Sequence, residues 1–300
     1  MGIDQIIGVD VGGTAVKLGR FTDTGDCLQS LSIQTPQPAI PEAVVPAIVA
    51  ALKEVDPERV AIAIGIGTPG PADAQGRIAR VAFNLPGWIE VPIAAQIEAL
   101  DGRPTTIAND ANCAALGEAW LGAGRNYQDF MLLTLGTGVG GGIIINGDLF
   151  LGRRGAAGEL GVITLNPDGP QCNSGNSGSL EQYVSATAIR RRTGMDPHEL
   201  FERAKAGNGD AISFWHQYGR DLGAGLASLI YVLTPEAIVI GGGVSASAEL
   251  FLPTTKAEIE RRVQPVSREA LVIKRAELGN RAGMVGAARL AWQRFGHQRL

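Results

Sequence analysis

The sequence is poor in the residues that build metal centres and disulfide frameworks. Its 300 residues include only three cysteines and three histidines. Cys27, Cys113 and Cys172 stand far apart with no C-x-x-C pair, which excludes a disulfide-stapled scaffold and suits a reducing cytoplasm. His198, His216 and His297 are scattered and suggest neither a ligand set nor a catalytic triad. No apolar run approaches the ~18 residues of a membrane-spanning helix. Asp4 stands where a secretory leader would be basic, and Ser or Thr is missing from position 6 after Met1-Gly2. Neither a secretory leader nor myristoylation is therefore expected. Charge of one sign is also lacking: 26 basic against 30 acidic side chains leave a net charge of −4, with a pI near 5.5. That balance argues against a protein whose main task is holding nucleic acid. No G-x-x-x-x-G-K-[ST] motif occurs, which excludes a P-loop.

What is present is an ordinary globular composition, 45% hydrophobic and 19% charged, which excludes bulk disorder and allows about two domains. Glycine is abundant, 41 residues, about twice its usual ~7% share. The glycines gather in a few loops beside strand-like apolar runs, where they mark tight turns or close backbone approach to a ligand. Ile3–Val9 reads as a buried strand, followed by a glycine turn and a second strand, Ala15–Phe21. Cys27–Gln34 alternates as a third strand, Glu42–Leu52 reads as a helix and Val60–Ile66 as a central strand. Asn109-Asp110 opens a helix to about Leu121, with an Asx residue as N-cap. A second cycle starts with strand Phe130–Leu135, glycine turn Gly136–Gly142 and strand Ile143–Ile145. Phe214, Tyr218, Leu222, Leu226, Leu229, Ile230 and Leu233 mark the stripe of a long helix ending before Pro235. Strand Ala237–Ile240, strand Leu271–Lys274 and helix Ala282–Phe295 complete the pattern. Strand, glycine turn and strand thus occur once in each half, which predicts two α/β lobes facing a ligand cleft.

The glycine loops decide between phosphate chemistries. Gly65-Ile-Gly67-Thr-Pro-Gly70 and Gly136-Thr-Gly138-Val-Gly140-Gly141 both match G-x-G-x-x-G. A dinucleotide fingerprint needs a strand before and a helix after it. The first segment runs into a loop and the second into a strand, so neither meets that requirement. Asp10-Val-Gly12-Gly13-Thr14 and Leu135-Gly136-Thr137-Gly138 instead sit in hairpin bends, whose backbone N–H groups can converge on an anion. Thr14 and Thr137 add hydroxyl donors and Lys17 adds charge. Asp10, ending a buried strand, suits Mg²⁺ held through water.

With these motifs the chain resembles the actin-like sugar kinases, and more narrowly the ROK family (repressors, open reading frames, kinases). The resemblance runs over essentially the whole chain. Besides Asp10–Thr14 it includes Gly67-Thr-Pro-Gly70, Asn84-Leu-Pro-Gly-Trp88, Asn109-Asp110-Ala-Asn112, Leu135–Gly142, Gly155-Ala-Ala-Gly-Glu159 and Ile240-Gly-Gly-Gly-Val244. It implies an α/β, two-lobed actin-like ATPase (ribonuclease H-like) fold with a central cleft. The smaller lobe would be 1–118, joined by a C-terminal helix at about 284–300, and the larger lobe 119–283. It implies transfer of phosphate from ATP, with Mg²⁺, to the 6-hydroxyl of a hexose. Glucose is the expected sugar, as in a glucokinase. Carried over residue by residue, Asp110 would be the catalytic base. Asn109, Glu159 and Glu181 would bind sugar hydroxyls, Gly67 and Gly70 would offer backbone contacts, and Asn84 would belong to the same sugar site. Asp10, Gly12, Gly13, Thr14, Lys17, Gly136, Thr137 and Gly138 would hold phosphates and Mg²⁺, with Gly242 and Gly243 flanking the adenosine. The chemistry suits these residue types: a sugar hydroxyl is a poor nucleophile, and a positioned carboxylate helps by accepting its proton. The helix N-terminus at Asp110 favours the ionised carboxylate.

One departure is expected to matter. The family pattern E-x-G-H followed by C-x-C-G-x-x-G-C-x-E describes a zinc site. Here Val162 replaces the histidine, and the second part reads Cys172-Asn-Ser174-Gly-Asn-Ser-Gly178-Ser179-Leu-Glu181. One thiolate cannot make a tetrahedral N/S site with two hydroxyls and a valine, so no zinc is expected. Ser174 and Ser179 are then expected to order the loop at 166–180 by hydrogen bonds. Loss of the histidine, which the resemblance places near the anomeric end of the sugar, leaves open other acceptors: N-acetylmannosamine, N-acetylglucosamine, mannose or fructose. Polyphosphate as donor and a non-catalytic sugar sensor are further alternatives. Arg190-Arg191-Arg192 reads as a solvated face late in a helix starting near Glu181. Trp88 reads as structural. The family's repressors carry an added N-terminal helix-turn-helix, which does not fit before the first strand here. The expectation is a cytoplasmic enzyme, with neither nucleic acid nor membrane as partner, assembled as a homodimer or larger.

Overall fold

The computed structural model describes residues 4–82 and 85–296. The chain runs through β1 (Gln5–Val11), β2 (Ala15–Thr22), β3 (Cys27–Gln34), α1 (Pro41–Val55), β4 (Ala61–Thr68), β5 (Ala79–Val81), β6 (Ile89–Val91), α2 (Ile93–Asp101), β7 (Thr105–Asn109) and α3 (Asp110–Leu121). It continues through β8 (Phe130–Leu135), β9 (Val139–Ile145), β10 (Asp148–Leu149), α4 (Glu181–Val184), α5 (Ala186–Thr193), α6 (Pro197–Lys205), α7 (Gly209–Leu233), β11 (Ala237–Gly241), α8 (Ala248–Arg262), β12 (Val272–Arg275) and α9 (Ala282–Phe295). Among the described residues no helix is long and apolar enough to cross a membrane.

These elements form two compact units. The first takes the chain up to Asn126, Gly142–Gly158 and the segment from Glu277 on; the second takes Tyr127–Gly141 and Glu159–Ala276. The division differs in detail from lobes meeting at 118/119 and 283/284. The chain changes unit in the middle of β9, and the excursion through β10 rejoins the first unit, which periodicity along a single strand does not reveal.

The sheet of the first unit has the order β3-β2-β1-β4-β7. β1, β2 and β3 pair antiparallel, while β1, β4 and β7 run parallel. The two-residue period of β1 sends Ile7, Val9 and Val11 to one face, in a core with Ile48 and Leu52 of α1 and Ile97 of α2. On the other face Ile6 packs with Met284, Val285 and Ala288 of α9. Gly8 and Gly65 are partners across β1 and β4. A Cβ on either would stand 2.0 Å from the Met284 carbonyl or 1.8 Å from that of Ala287, so α9 rests directly on the sheet backbone there. Near the end of α3, Glu118 is fully buried. Its carboxylate accepts from the backbone N–H groups of Ala123 (2.7 Å), Glu277 (3.1 Å) and Leu278 (2.8 Å). Trp88 is fully buried and its indole N–H donates to the Ala39 carbonyl at 2.8 Å, the structural part expected of it.

In the second unit β8, β11 and β12 run parallel. α7 lays Trp215, Tyr218, Leu222, Leu226 and Ile230 into the core. Its aromatic end stacks on Phe251 of α8, with centroids 5.9 Å from Trp215 and 4.9 Å from Tyr218. The buried stripe runs from Ala211 through Trp215; Phe214 lies half-buried under the Arg192 guanidinium, 4.8 Å from its ring centroid. α7 ends on Thr234 in the left-handed region, φ +41°, because Pro235 excludes helical geometry there. The helix expected to run from Glu181 through the arginines instead breaks at Ser185, whose hydroxyl caps α5 by accepting from Ala188 N–H at 3.0 Å. Arg192 pairs with Asp221 at 3.0 Å rather than pointing into water alone.

Candidate active site

In the first unit the carboxyl ends of three parallel strands bring the expected residues into one row. Register pairs Asp10 of β1 with Gly67 of β4, and Thr68 of β4 with Asn109 of β7. Carboxyl ends of parallel strands are the usual place for ligands in α/β sheets. Asn109 is the N-cap of α3: its Oδ1 accepts from Ala111 N–H (2.9 Å) and Asn112 N–H (3.2 Å). Its Nδ2 donates to the Gly70 carbonyl at 3.1 Å. The amide therefore fastens the Gly67–Gly70 turn to the start of α3. Asp110 follows as the first residue of α3, exposed, with Oδ1 accepting from Ala111 N–H at 2.8 Å. A Cβ on Gly67 would stand 3.6 Å from Asp110 Cα, so the glycine turn borders that carboxylate. Cys113 is buried beneath this row, its thiol pushed well up by burial and then by the charges of Asp10 and Asp110. Such a thiol is inert. Asn84 lies outside the described residues.

The Asp10–Thr14 bend is held from the segment that follows β3. Thr35 donates its hydroxyl to the Gly12 carbonyl (2.6 Å) and its N–H to Thr14 (3.0 Å), and Gln37 donates to the Gly13 carbonyl (3.4 Å). The carbonyls of the bend are thus engaged on the β3 side. Lys17 Nζ lies 3.9 Å from Asp10 Oδ2 and donates to the Asn280 carbonyl at 3.1 Å. Burial raises the Asp10 carboxyl, and Lys17 opposes that shift only in part. The first turn of α9 crowds the same carboxyl: a Cβ on Gly283 would lie 2.8 to 3.0 Å from its three terminal atoms.

In the second unit two glycine loops meet at the carboxyl ends of β8 and β11. Gly136 N–H donates to the Gly138 carbonyl at 2.9 Å, closing the bend. Helix α5 holds the bend's outer side, since Ala186 N–H donates to the Gly136 carbonyl (2.8 Å) and Thr187 Oγ1 to the Thr137 carbonyl (2.7 Å). Gly242 has φ +80°, and a Cβ there would stand 2.4 Å from the Leu135 carbonyl. The Gly241–Gly243 loop therefore lies against the residue that precedes Gly136.

Glu159 and Glu181 belong to this unit as well. Glu181 Oε2 accepts from Val139 N–H at 2.8 Å, which sets its carboxylate against the Gly138 bend. Desolvation, and then the charge of Glu181, raise the Glu159 carboxyl. The loop between them is ordered differently from expectation. Ser174 Oγ lies 3.1 Å from Cys172 Sγ and 3.4 Å from Asn176 N, while Ser179 Oγ is buried and bears on the same Cys172 thiol. Asn176 does most of the work, donating to the Val162 carbonyl (2.9 Å) and Thr164 Oγ1 (3.0 Å) and accepting from Ser177 N–H (2.8 Å). Among the described residues no group of three or more His, Cys, Asp or Glu side chains could hold a metal ion.

Sequence reasoning missed Thr35, Gln37, Gly283, Thr187 and Asn176. Ser185-Ala-Thr187 carries an N-cap signal that would have located the break before α5 and, with it, Thr187. The other four act across long separations and leave no periodic trace.

Comparison with known proteins bears on the same residues. The ROK family profile matches residues 6–294. A glucokinase of Thermotoga maritima is 33% identical over 312 aligned residues, covering 97% of this chain and 98% of the relative. Among solved structures, a ROK hexokinase from Thermus thermophilus superposes with TM-score 0.86 at 35% identity, covering 97% of this chain and 99% of that one. A ROK family glucokinase from Streptomyces griseus, solved with glucose and AMPPNP, superposes with TM-score 0.82 at 35% identity, covering 97% and 100%. The fold is that of the actin-like sugar kinases, and the chain belongs to the ROK family.

Proposed function

We propose that this chain transfers the γ-phosphoryl group of ATP to the 6-hydroxyl of a hexose, with glucose as acceptor, in the cytoplasm. The observation that carries the reading is Asp110, an exposed carboxylate opening α3 beside the Gly67–Gly70 turn and in the same row of strand ends as Asp10. End-to-end similarity to a glucokinase, and to one solved with glucose and a nucleotide analogue, supports the choice of sugar and donor.

In this reading Asp110 accepts the proton of the 6-hydroxyl as its oxygen attacks the γ-phosphorus. The new O–P bond forms as the bond to the β-phosphate bridge oxygen breaks, and ADP leaves. Glu159 and Glu181 accept hydrogen bonds from sugar hydroxyls, and the Gly67–Gly70 backbone lines the sugar. Asn109 acts mainly by holding that backbone to α3. The Gly12 and Gly136 N–H groups close their own bends on the Ala15 and Gly138 carbonyls, and the bends so shaped cradle phosphate oxygens through the N–H groups of Gly13, Thr14, Thr137 and Gly138, with Lys17 adding charge, and Gly242 and Gly243 border the nucleoside. Asp10 suits Mg²⁺ held through water: it is a buried carboxyl that Lys17 compensates only in part, so a cation there favours its ionised form. The ion, when bound, neutralises phosphate charge. The family's zinc positions hold Cys172, Ser174, Ser179 and Val162, a donor set that does not fit tetrahedral zinc.

The test is ADP release with ATP and Mg²⁺ across glucose, mannose, fructose, N-acetylglucosamine and N-acetylmannosamine. Release strongest with glucose is expected. Preference for another sugar keeps the mechanism and overturns the choice of acceptor. No release with any sugar, by ATP or by polyphosphate, overturns the kinase reading in favour of a sugar sensor.

A further inference from the structure

Glu159 and Glu181 are two carboxylates close enough for the charge of one to raise the pKa of the other. Like charges separate unless the backbone carrying them is tied. Two strands of chain converge between them: 159–166, which follows Glu159, and 171–180, which leads into Glu181. Backbone pairing joins them at Thr164 and Ser179 and through the Leu180 N–H donated to the Ile163 carbonyl at 2.9 Å. The side chain that crosses between them is Asn176. One amide reaches the Val162 carbonyl and the Thr164 hydroxyl together. Val162 N–H in turn donates to the Glu159 carbonyl at 3.2 Å. On its own strand the Asn176 carbonyl accepts from Cys172 N–H at 2.8 Å, closing the bend that the chain makes before Glu181. The neighbouring hydroxyl, Ser179 Oγ, is buried and bears on the Cys172 thiol of its own strand.

We infer that Asn176 is a positioning residue for sugar binding: its side-chain amide locks the Glu159 segment to the Glu181 segment and so sets the spacing of the two carboxylates. The inference rests on the proposed sugar-kinase reading. Asn176 touches no reacting atom. Its action is on the geometry of two acceptors that a sugar must meet together, so its loss falls on sugar affinity rather than on the phosphoryl step. The Asn176–Thr164 and Asn176–Val162 bonds form one linked set, and their removal is therefore not additive.

The experiment compares wild type, Asn176→Ala, Thr164→Val and the double variant in steady-state kinetics, with glucose binding followed by calorimetry and melting by circular dichroism. Asn176→Ala is expected to raise the glucose KM and Kd about tenfold, the scale of one lost organising hydrogen bond, with kcat and the ATP KM within about threefold of wild type. Thr164→Val, which leaves the Val162 bond in place, is expected to raise the glucose KM by about two- to threefold, and the double variant to match Asn176→Ala. A folded Asn176→Ala with unchanged glucose KM and Kd overturns the inference. So does a loss of kcat and affinity in proportion to lost folded protein, which marks a merely structural residue. Wild-type protein that neither turns over nor binds any sugar of the panel overturns the kinase reading, and the inference with it.

Discussion

Glu118 offers the sharpest test of how the first unit is held together. Its carboxylate is fully buried and accepts three backbone N–H bonds of 2.7, 3.1 and 2.8 Å, from Ala123, Glu277 and Leu278. Two of those donors lie where the chain returns to the first unit near its end. Glu118→Ala leaves three donors without their acceptor. Each buried N–H so stranded costs about 1–3 kcal/mol. Water entering the vacated space recovers part of this, so the expected loss is about 4 kcal/mol. Glu118→Gln keeps one acceptor oxygen and turns an amide N–H₂ towards the other donors, so about 2 kcal/mol is expected. Urea unfolding followed by tryptophan fluorescence and by far-ultraviolet dichroism reads both values, and agreement of the two probes checks that the transition is cooperative. A Glu118→Ala protein within about 1 kcal/mol of wild type refutes the reasoning, because it means that the three N–H groups find other partners.

Three further outcomes follow from the site. Gly283→Ala forces the Asp10 carboxyl aside, since the added Cβ would meet it at 2.8 to 3.0 Å. The expected result is a kcat lowered about 10- to 100-fold and a raised Mg²⁺ requirement, with glucose affinity kept; wild-type Mg²⁺ dependence contradicts it. Glu159 is raised by desolvation and then by Glu181, and under the proposed function its ionised form is the stronger acceptor for sugar hydroxyls. The kcat/KM for glucose should therefore fall as pH drops through a value above that of an ordinary glutamate. Glu181→Gln should move that limb to lower pH, and an unmoved limb argues against the coupling. Protein purified without added zinc should carry no stoichiometric zinc by mass spectrometry, and a one-to-one content would overturn the reading of the loop at 166–180.

The elements that frame the site were legible because local chemistry and long-range structure agree in them. Asn109-Asp110 announces a helix start, and the structure uses Asn109 as that cap. The β-branched runs around Ile64 and Ile238 are strands buried on both faces, with no other way to be satisfied. α8 was missed because Pro253 lies inside it and its apolar positions hold no clean period. α3 is buried around most of its surface from Ala111 to Glu118, so its amphipathic signal is weak and only its cap betrays it. The supports of the site were the least legible. Thr35 reaches Gly12 over 23 residues, and Glu181 reaches Val139 over 42. Asn176 stands among other polar loop residues. Nothing in its neighbours along the chain distinguishes an amide that bridges two strands from one that faces water. The serines at 174 and 179 stand where a metal pattern has ligands, yet Ser174 and Asn176 make the side-chain hydrogen bonds within the loop, while the Ser179 hydroxyl is buried beside the Cys172 thiol.

The central claim is that Asp110 removes the proton from the sugar hydroxyl. Asp110→Asn keeps the side chain's size and its capacity to accept from Ala111 N–H, and removes the base. Glucose binding by calorimetry and ADP release on the same protein give the answer. Turnover lower by about 10²- to 10⁴-fold, with glucose affinity within a few-fold of wild type, is the predicted result. Turnover within tenfold of wild type would contradict the assignment and require another residue to take the proton.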